Sequence, residues 1–259
     1  MEELHISRLA TLWRCGEQYN RRYIKKEIIP PGIALVIGSS THKSIEANLK
    51  NKIEKGELLP IDTCQDIAND TARNSLKQGI MLNDEEKAIG IKLVKQQAID
   101  MAVSLSKLHR TGLAPTLSPV SVEKSFVLNI KDLPDFSIKG TVDIEEKTSI
   151  RDTKTAGKSD LNAASKSIQL TMYDLALKSQ GKLVEKLYID QLVKTKEPKI
   201  CTSETIRDEN DHRALLFRIT NAIKQIKAGI FPPCSADSWV CSPRFCGYYN
   251  TCKYVSKRR

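Results

Sequence analysis

The chain has 259 residues, 40% of them apolar, which is enough for one large domain or two small ones around a buried core. No apolar run approaches a membrane span, and the start "MEELHISRLATLWRC" lacks the basic-then-apolar order of a signal peptide, so the expectation is a soluble cytoplasmic chain with no membrane partner. Its 41 basic and 31 acidic residues give a formal charge of +10, which suits a polyanionic partner, and its seven cysteines read as free thiols or metal ligands rather than disulfides.

Residues 7–26 read as a helix with Ser7 as N-cap, ended by "PPG" at 30–32. A second helix is expected from Ser39 or Ser40 through "THKSIEANLKNKIEKG", and a third over 63–78. Residues 84–109 give the clearest long helix, with Ile91, Val94, Ala98, Met101, Leu105 and Leu108 at three- and four-residue steps. The period then changes to two. Val120, Val122, Phe126, Leu128 and Ile130 alternate, apart from Lys124, and so do Phe136, Ile138, Gly140, Val142 and Ile144. "SIRDTKTA" gives a third strand, 161–180 a helix, and 183–193 a strand that returns through "KEPK" over 198–206. A helix over 208–228 ends at "FPPC", and a cysteine-rich tail follows. This order gives an α/β core with a helical N-terminal insertion over about 60–112.

The stretch "IKGTVDIEEKTSIRDTKTA" spans the second and third strands. With Phe136, Ile138, Val142 and Ile144 as one apolar set, Asp143 points to the opposite face; Asp152 and Lys154, two apart, share a face. Paired as a hairpin, the strands can bring Asp143 and Asp152 together with Lys154 beside them. Two close carboxylates repel unless a divalent cation lies between them, and a neighbouring ammonium can serve a phosphate or an attacking water. Metal-assisted phosphodiester hydrolysis needs that set. His42 and Glu46 lie four apart on one helical face, where imidazole can complete a metal site and favours Mn²⁺ somewhat more than pure oxygen ligation does. Gln169 and Tyr173, also four apart, can reach substrate or orient the lysine. A solvated hairpin with decorative charges is the rival reading of the strands alone.

G-x-x-x-H-x-x-x-E at Gly38, His42 and Glu46, G-x-x-D at Gly140–Asp143, D-x-K at Asp152–Lys154 and Q-x-x-x-Y at Gln169–Tyr173 follow one another along the chain. Together they resemble the RecB-like branch of the PD-(D/E)XK nucleases. That resemblance implies a central mixed β-sheet flanked by helices, with a metal (Mg²⁺ or Mn²⁺) held by His42, Asp143, Asp152 and the carbonyl of Thr153. It implies that Lys154 assists the water, that Glu46 acts near the metal, and that Gln169 and Tyr173 support the site or contact DNA. The third motif carries Asp where Glu is commoner in the family.

Cys241, Cys246 and Cys252 are spaced C-x4-C-x5-C in the tail, and Cys15 stands alone on the first helix. One distant and three clustered thiols suit a group that clips the chain ends together, either Fe–S or Zn. The pattern resembles that of AddB-type and CRISPR-associated RecB-like exonucleases, which implies a 4Fe-4S cluster on these four residues. The family's commonest tail is C-x2-C-x5-C, so Cys234 stays open as a rival to Cys241. The expected organisation is one nuclease domain over 1–259, with 1–30 and 231–259 forming the cluster region and 31–230 the core.

By the same resemblance the activity expected is DNA exonucleolysis from single-stranded 5′ ends, in recombination, repair, or phage or CRISPR DNA processing. Partners could then include a recombinase, a single-strand-binding protein or a CRISPR protein. The rivals are a structure-selective endonuclease or junction resolvase, a DNA-binding module without catalysis, and a zinc-stapled structural protein. "GKS" at 157–159 is not a P-loop, because Asp152 occupies the place of the first glycine.

Overall fold

The structure is a computed structural model that describes residues 2–130 and 135–255. Strand β1 (Glu2–His5) leads into α1 (Ile6–Arg14), α2 (Gly16–Tyr19) and a π-helical turn at Asn20–Ile24. Helix α3 (Ile33–Lys55), α4 (Ile61–Lys77), α5 (Asp84–Ile89) and α6 (Ile91–Leu108) follow. Then come β2 (Pro119–Asn129), β3 (Phe136–Glu146), β4 (Ser149–Ala156), α7 (Ala163–Lys166), α8 (Ile168–Ser179), β5 (Lys186–Val193), β6 (Lys199–Thr205) and α9 (Glu209–Lys227).

The six strands form one mixed sheet in the order β1-β3-β4-β5-β6, with β2 on the other edge of β3. β1 runs parallel to the start of β3 and β4 parallel to β5; the β2–β3, β3–β4 and β5–β6 pairs are antiparallel. Apolar side chains of α1, α8 and α9 (Leu9, Leu12, Leu170, Leu215, Ile219) cover Phe126, Ile138, Val142, Ile150 and Ile189. Ile37, Ile45 and Leu49 of α3, with Ala98 and Leu105 of α6, cover Val122, Ile144 and Leu192. This is a mixed sheet between helical layers, and no helix among the described residues is long and apolar enough to cross a membrane.

Local chemistry moves several boundaries from those the sequence suggests. The 7–26 helix begins at Ile6 with His5, not Ser7, at the N-cap, and it breaks at Cys15, whose backbone is extended (φ −161°, ψ 111°). Gly16 permits the break: a Cβ there would lie 2.6 Å from the Pro232 carbonyl, so only glycine lets the tail pass so close. Helix α3 starts six residues before Ser39, behind Gly32. The 84–109 helix is two helices, split at Gly90 (φ 95°), the first carrying an Asn83–Glu86 capping box. The 161–180 helix is likewise divided, with Ser167 capping α8. Leu183 is exposed and precedes β5, and β1 was not foreseen.

One packing expectation is corrected. Phe136, Ile138 and Val142 share a cluster, but Ile144 belongs to the α3 cluster. The change falls beside Glu123, whose φ is 51°, between the pairs Val122↔Ile144 and Lys124↔Val142; the register shift of β2 lies earlier, between Pro119 and Ser121.

Candidate active site and the cysteine-lined cavity

The β3–β4 ladder is short, with only Ile144↔Arg151 and Glu145↔Ile150 in register. Beyond it the strands part. There the Asp143 side chain replaces a ladder carbonyl, and its Oδ2 accepts the Thr153 N–H at 3.2 Å. Asp143 and Asp152 are thereby drawn together at the fork, where their carboxyl groups perturb each other's ionisation.

Helix α3 supplies the third group. A Cβ on Gly38 would lie 3.3 Å from Thr155 Oγ1, so the glycine of G-x-x-x-H lets the helix press onto β4. One turn later, His42 Nδ1 stands 3.6 Å from Asp143 Oδ2, and the ring is bonded to the Thr153 backbone. Helix α8 supplies the fourth side. Lys154 Nζ donates to Asp152 Oδ1 at 2.9 Å and to Gln169 Oε1 at 3.1 Å, and the Gln169 amide bonds the Tyr173 hydroxyl. The Tyr173 ring meets Phe126 edge-on, at 5.9 Å and 85°. Phe126 in turn lies across Gly140, where a Cβ would fall 2.4 Å from Cζ. The two motif glycines therefore have packing roles, one admitting α3 and one admitting the ring that seats Tyr173.

Burial sets the electrostatics. Asp152 is 0% exposed, and burial pushes its carboxyl up to about 7, with Lys154 pulling down and Asp143 pushing up. Burial likewise lifts Asp143 to about 6, against Lys154. Burial, then the Lys154 charge, lowers His42, which favours neutral imidazole. Burial opposes the Lys154 ammonium, but Asp152 and Asp143 outweigh it and hold its pKa up. Burial and the two aspartates drive Tyr173 far up, so its hydroxyl stays protonated.

These groups fit a hard divalent cation. The donors are two carboxylates and an imidazole. Asp152 Oδ2 is buried and lacks a hydrogen bond of good geometry, although Lys154 Nζ lies 2.8 Å away. As they stand, no three or more His, Cys, Asp or Glu among the described residues are arranged so that they could hold a metal ion. Lys154 pairs with Asp152, and burial disfavours the charge of both carboxyls. Glu46, one turn beyond His42, is not in direct contact with the pair. Burial opposes its ionisation, but Lys50 (2.6 Å) and Lys43 (2.9 Å) outweigh that and lower its pKa.

The tail closes on the N-terminal helices. Tyr19 stacks on Phe231 at 5.7 Å, Arg21 lies over the Tyr248 ring at 4.6 Å, and the Tyr248 hydroxyl donates to the Glu27 carbonyl at 2.5 Å. Between them is a cavity of about 140 Å³ lined by Cys15, Cys234, Cys241, Cys246 and Cys252. The extended backbone at Cys15 aims its sulfur at the tail, where Sγ accepts the Cys234 N–H at 3.4 Å. The Cys234 thiol is hydrogen-bonded to Cys15 and to Cys241. Cys64 is buried in α4 and Cys201 lies on β6, apart from this cavity.

The sequence matches the profile of the PD-(D/E)XK nuclease superfamily over residues 3–253. The chain belongs to the PD-(D/E)XK nuclease superfamily. A candidate exonuclease from Eubacterium rectale has a similar crystal structure, with a TM-score of 0.59 and 12% identity over 99% of this chain and 90% of that one; the likeness concerns the fold. SSO0001 is more distant, with a TM-score of 0.39 and 13% identity over 73% of this chain and 95% of that one. No curated protein matches significantly.

The superfamily's D-x-K is met by Asp152-Thr153-Lys154, whereas Val142 stands where its name has proline. Val142 pairs with Lys124 inside β3, a place that proline, lacking an N–H, does not suit.

The candidate site contains one acid that the sequence alone did not reveal. Burial, then Glu46, raises the pKa of Glu123, which also interacts with Asp152 and Asp143. Its left-handed backbone turns the side chain out of strand alternation. The break in alternation at Lys124 was the available signal. A raised carboxyl costs stability above its own pKa, and a left-handed backbone suits asparagine better than glutamate. Glu123→Asn is therefore expected to raise the melting temperature at pH 8 without divalent cations by roughly 2–4 °C, about 1 kcal/mol. Thermal denaturation checks this; a lower melting temperature would show Glu123 to be a structural anchor.

Proposed function

We propose that this chain is a Mg²⁺- or Mn²⁺-dependent deoxyribonuclease that removes nucleotides from DNA ends, with single-stranded 5′ ends as its substrate. The reading rests on the meeting of His42, Asp143, Asp152 and Lys154 at the β3–β4 fork, inside a chain of nuclease family. The candidate exonuclease of similar fold adds weight to end-directed action.

His42, Asp143, Asp152 and the Thr153 carbonyl would hold the cation. When bound, it lowers the pKa of its water and stabilises charge on the leaving oxygen. Asp143 and Asp152, whose raised pKa values favour the protonated form, would have to be ionised to serve as ligands. Lys154, held between Asp152 and Gln169, places a positive charge beside the attacking water and the phosphate. Tyr173 stays protonated and fixes the Gln169 amide, which limits the positions open to the ammonium. The chain's +10 charge favours association with the DNA backbone.

For the cysteine cavity the same reading assigns a 4Fe-4S cluster. Such a cluster would be held by four of the five cysteines that line the cavity, and it would supply a rigid thiolate-bound link there. A bound cluster supplies a cross-link between the chain ends, and the cysteines hold the first helices and the tail as parts of one nuclease domain.

The test is digestion of labelled linear and circular single-stranded DNA with Mg²⁺ or Mn²⁺. Linear strands should be degraded progressively from the 5′ end and circles should survive. Cut circles would favour the endonuclease or resolvase reading, and no hydrolysis of either would favour a DNA-binding module.

A further inference from the structure

Five cysteines line the terminal cavity, but a cubane takes four thiolates. The surplus thiol is not remote. Cys234 donates its backbone N–H to Cys15 Sγ at 3.4 Å, and its thiol is hydrogen-bonded to both Cys15 and Cys241. Cys246 interacts electrostatically with Cys15, Cys241 and Cys252, so all five sulfurs belong to one neighbourhood. The segment that joins Cys234 to Cys241 is compact: Ser238 N–H donates to the Ser235 carbonyl at 3.1 Å, and Cys241 N–H to the Ser238 carbonyl at 2.9 Å. At its upstream end, the Gly16–Pro232 contact fixes the Cys234 backbone against Cys15.

We infer that Cys234 and Cys241 are interchangeable ligands for one cluster position, while Cys15, Cys246 and Cys252 are fixed. The inference rests on the iron–sulfur reading above. The exchange needs no oxidant. The entering thiol would give its proton to the leaving thiolate beside it; one Fe–S bond would form as the other broke, and the charge would be unchanged. The two thiols act as alternates, so losing either leaves four ligands.

The experiment is anaerobic purification of the full chain and of the Cys234→Ala, Cys241→Ala, double and Cys15→Ala variants, with iron and acid-labile sulfide measured per chain. Wild type and both single variants should hold about four irons, while the double variant and Cys15→Ala should lose more than about half of theirs. One single variant that loses the cluster as fully as the double variant would overturn the interchange, and so would a double variant that keeps it. Wild type without iron and sulfide would overturn the cluster reading itself, a different result. Should a variant fail to fold, alkylation of cluster-loaded wild type followed by peptide mass spectrometry decides the matter. Label divided between Cys234 and Cys241 supports exchange; label confined to one of them contradicts it.

Discussion

Asp152→Asn is expected to reduce DNA hydrolysis by at least about 10³-fold, and Lys154→Ala by about 10²–10³-fold, with neither change unfolding the protein. Asp152 is wholly buried and its ionisation is disfavoured, so a neutral amide of the same shape removes a charge that the fold tolerates poorly. Lys154 is 43% exposed on its side chain and can turn to water when Asp152 no longer attracts it. Melting of Asp152→Asn at pH 8 without cations should therefore match or exceed wild type while activity collapses. Lys154→Ala should push the Asp152 pKa higher still, since its main stabilising charge is gone, and activity should recover partly as pH rises. Single-turnover digestion across pH, alongside thermal denaturation, separates the outcomes. If both variants lost activity only in proportion to lost stability, the two residues would be structural.

The second large effect is a linkage between cation, proton and stability. Folding raises Asp143 to about 6 and Asp152 to about 7, above the ordinary carboxylate value of 3.8. The folded state therefore binds more protons than the unfolded one, and stability falls as pH rises from about 4 to about 7. Above that window the penalty is fully present. A divalent cation held by the two carboxylates would relieve it. At a hundredfold excess over Kd, binding to the folded state alone adds about 2.7 kcal/mol, or roughly 5–10 °C for a chain of this size. Calorimetric scans should show that gain with Mn²⁺ at pH 8 and little of it at pH 5. An equal gain at both values would place the cation away from this carboxyl pair.

Much of the candidate site was legible because the chemistry is written at fixed spacing. Asp152 and Lys154 share a strand face by period two, and Gln169 and Tyr173 a helix face by period 3.6; both pairs are in hydrogen-bond contact within the site. Motif glycines could be quoted from the sequence, but their reason could not. Gly140 makes room for Phe126 and Gly38 for Thr155, and both contacts exist only after folding. Glu123 was hidden because a left-handed residue in a strand leaves only a break in alternation as its trace. Glu46 was visible by spacing, but its partners, Lys43 and Lys50, are as close in sequence as His42 is, so the helix pattern alone could not tell which would hold it.

The fold was readable as far as period and composition carry. The strands β2 to β6 and the helical layers follow from apolar spacing. β1, only four residues long, offers too little pattern and gains its partner from Phe136–Lys139, far along the chain. The break at Cys15 depends on the returning tail, which no local window contains. The mixed sheet was foreseen through family likeness rather than from the strands themselves, since nothing local distinguishes the parallel β4–β5 pairing.

Hydrolysis at this site requires the β3–β4 fork to grip a cation. Anomalous diffraction from crystals grown with Mn²⁺ measures this directly. The expected result is a strong peak within ligand distance of the Asp143 and Asp152 carboxylates and the His42 imidazole, lost in Asp152→Asn. A protein that cuts DNA with Mn²⁺ yet shows its peak elsewhere, with these three side chains uncoordinated, would contradict it.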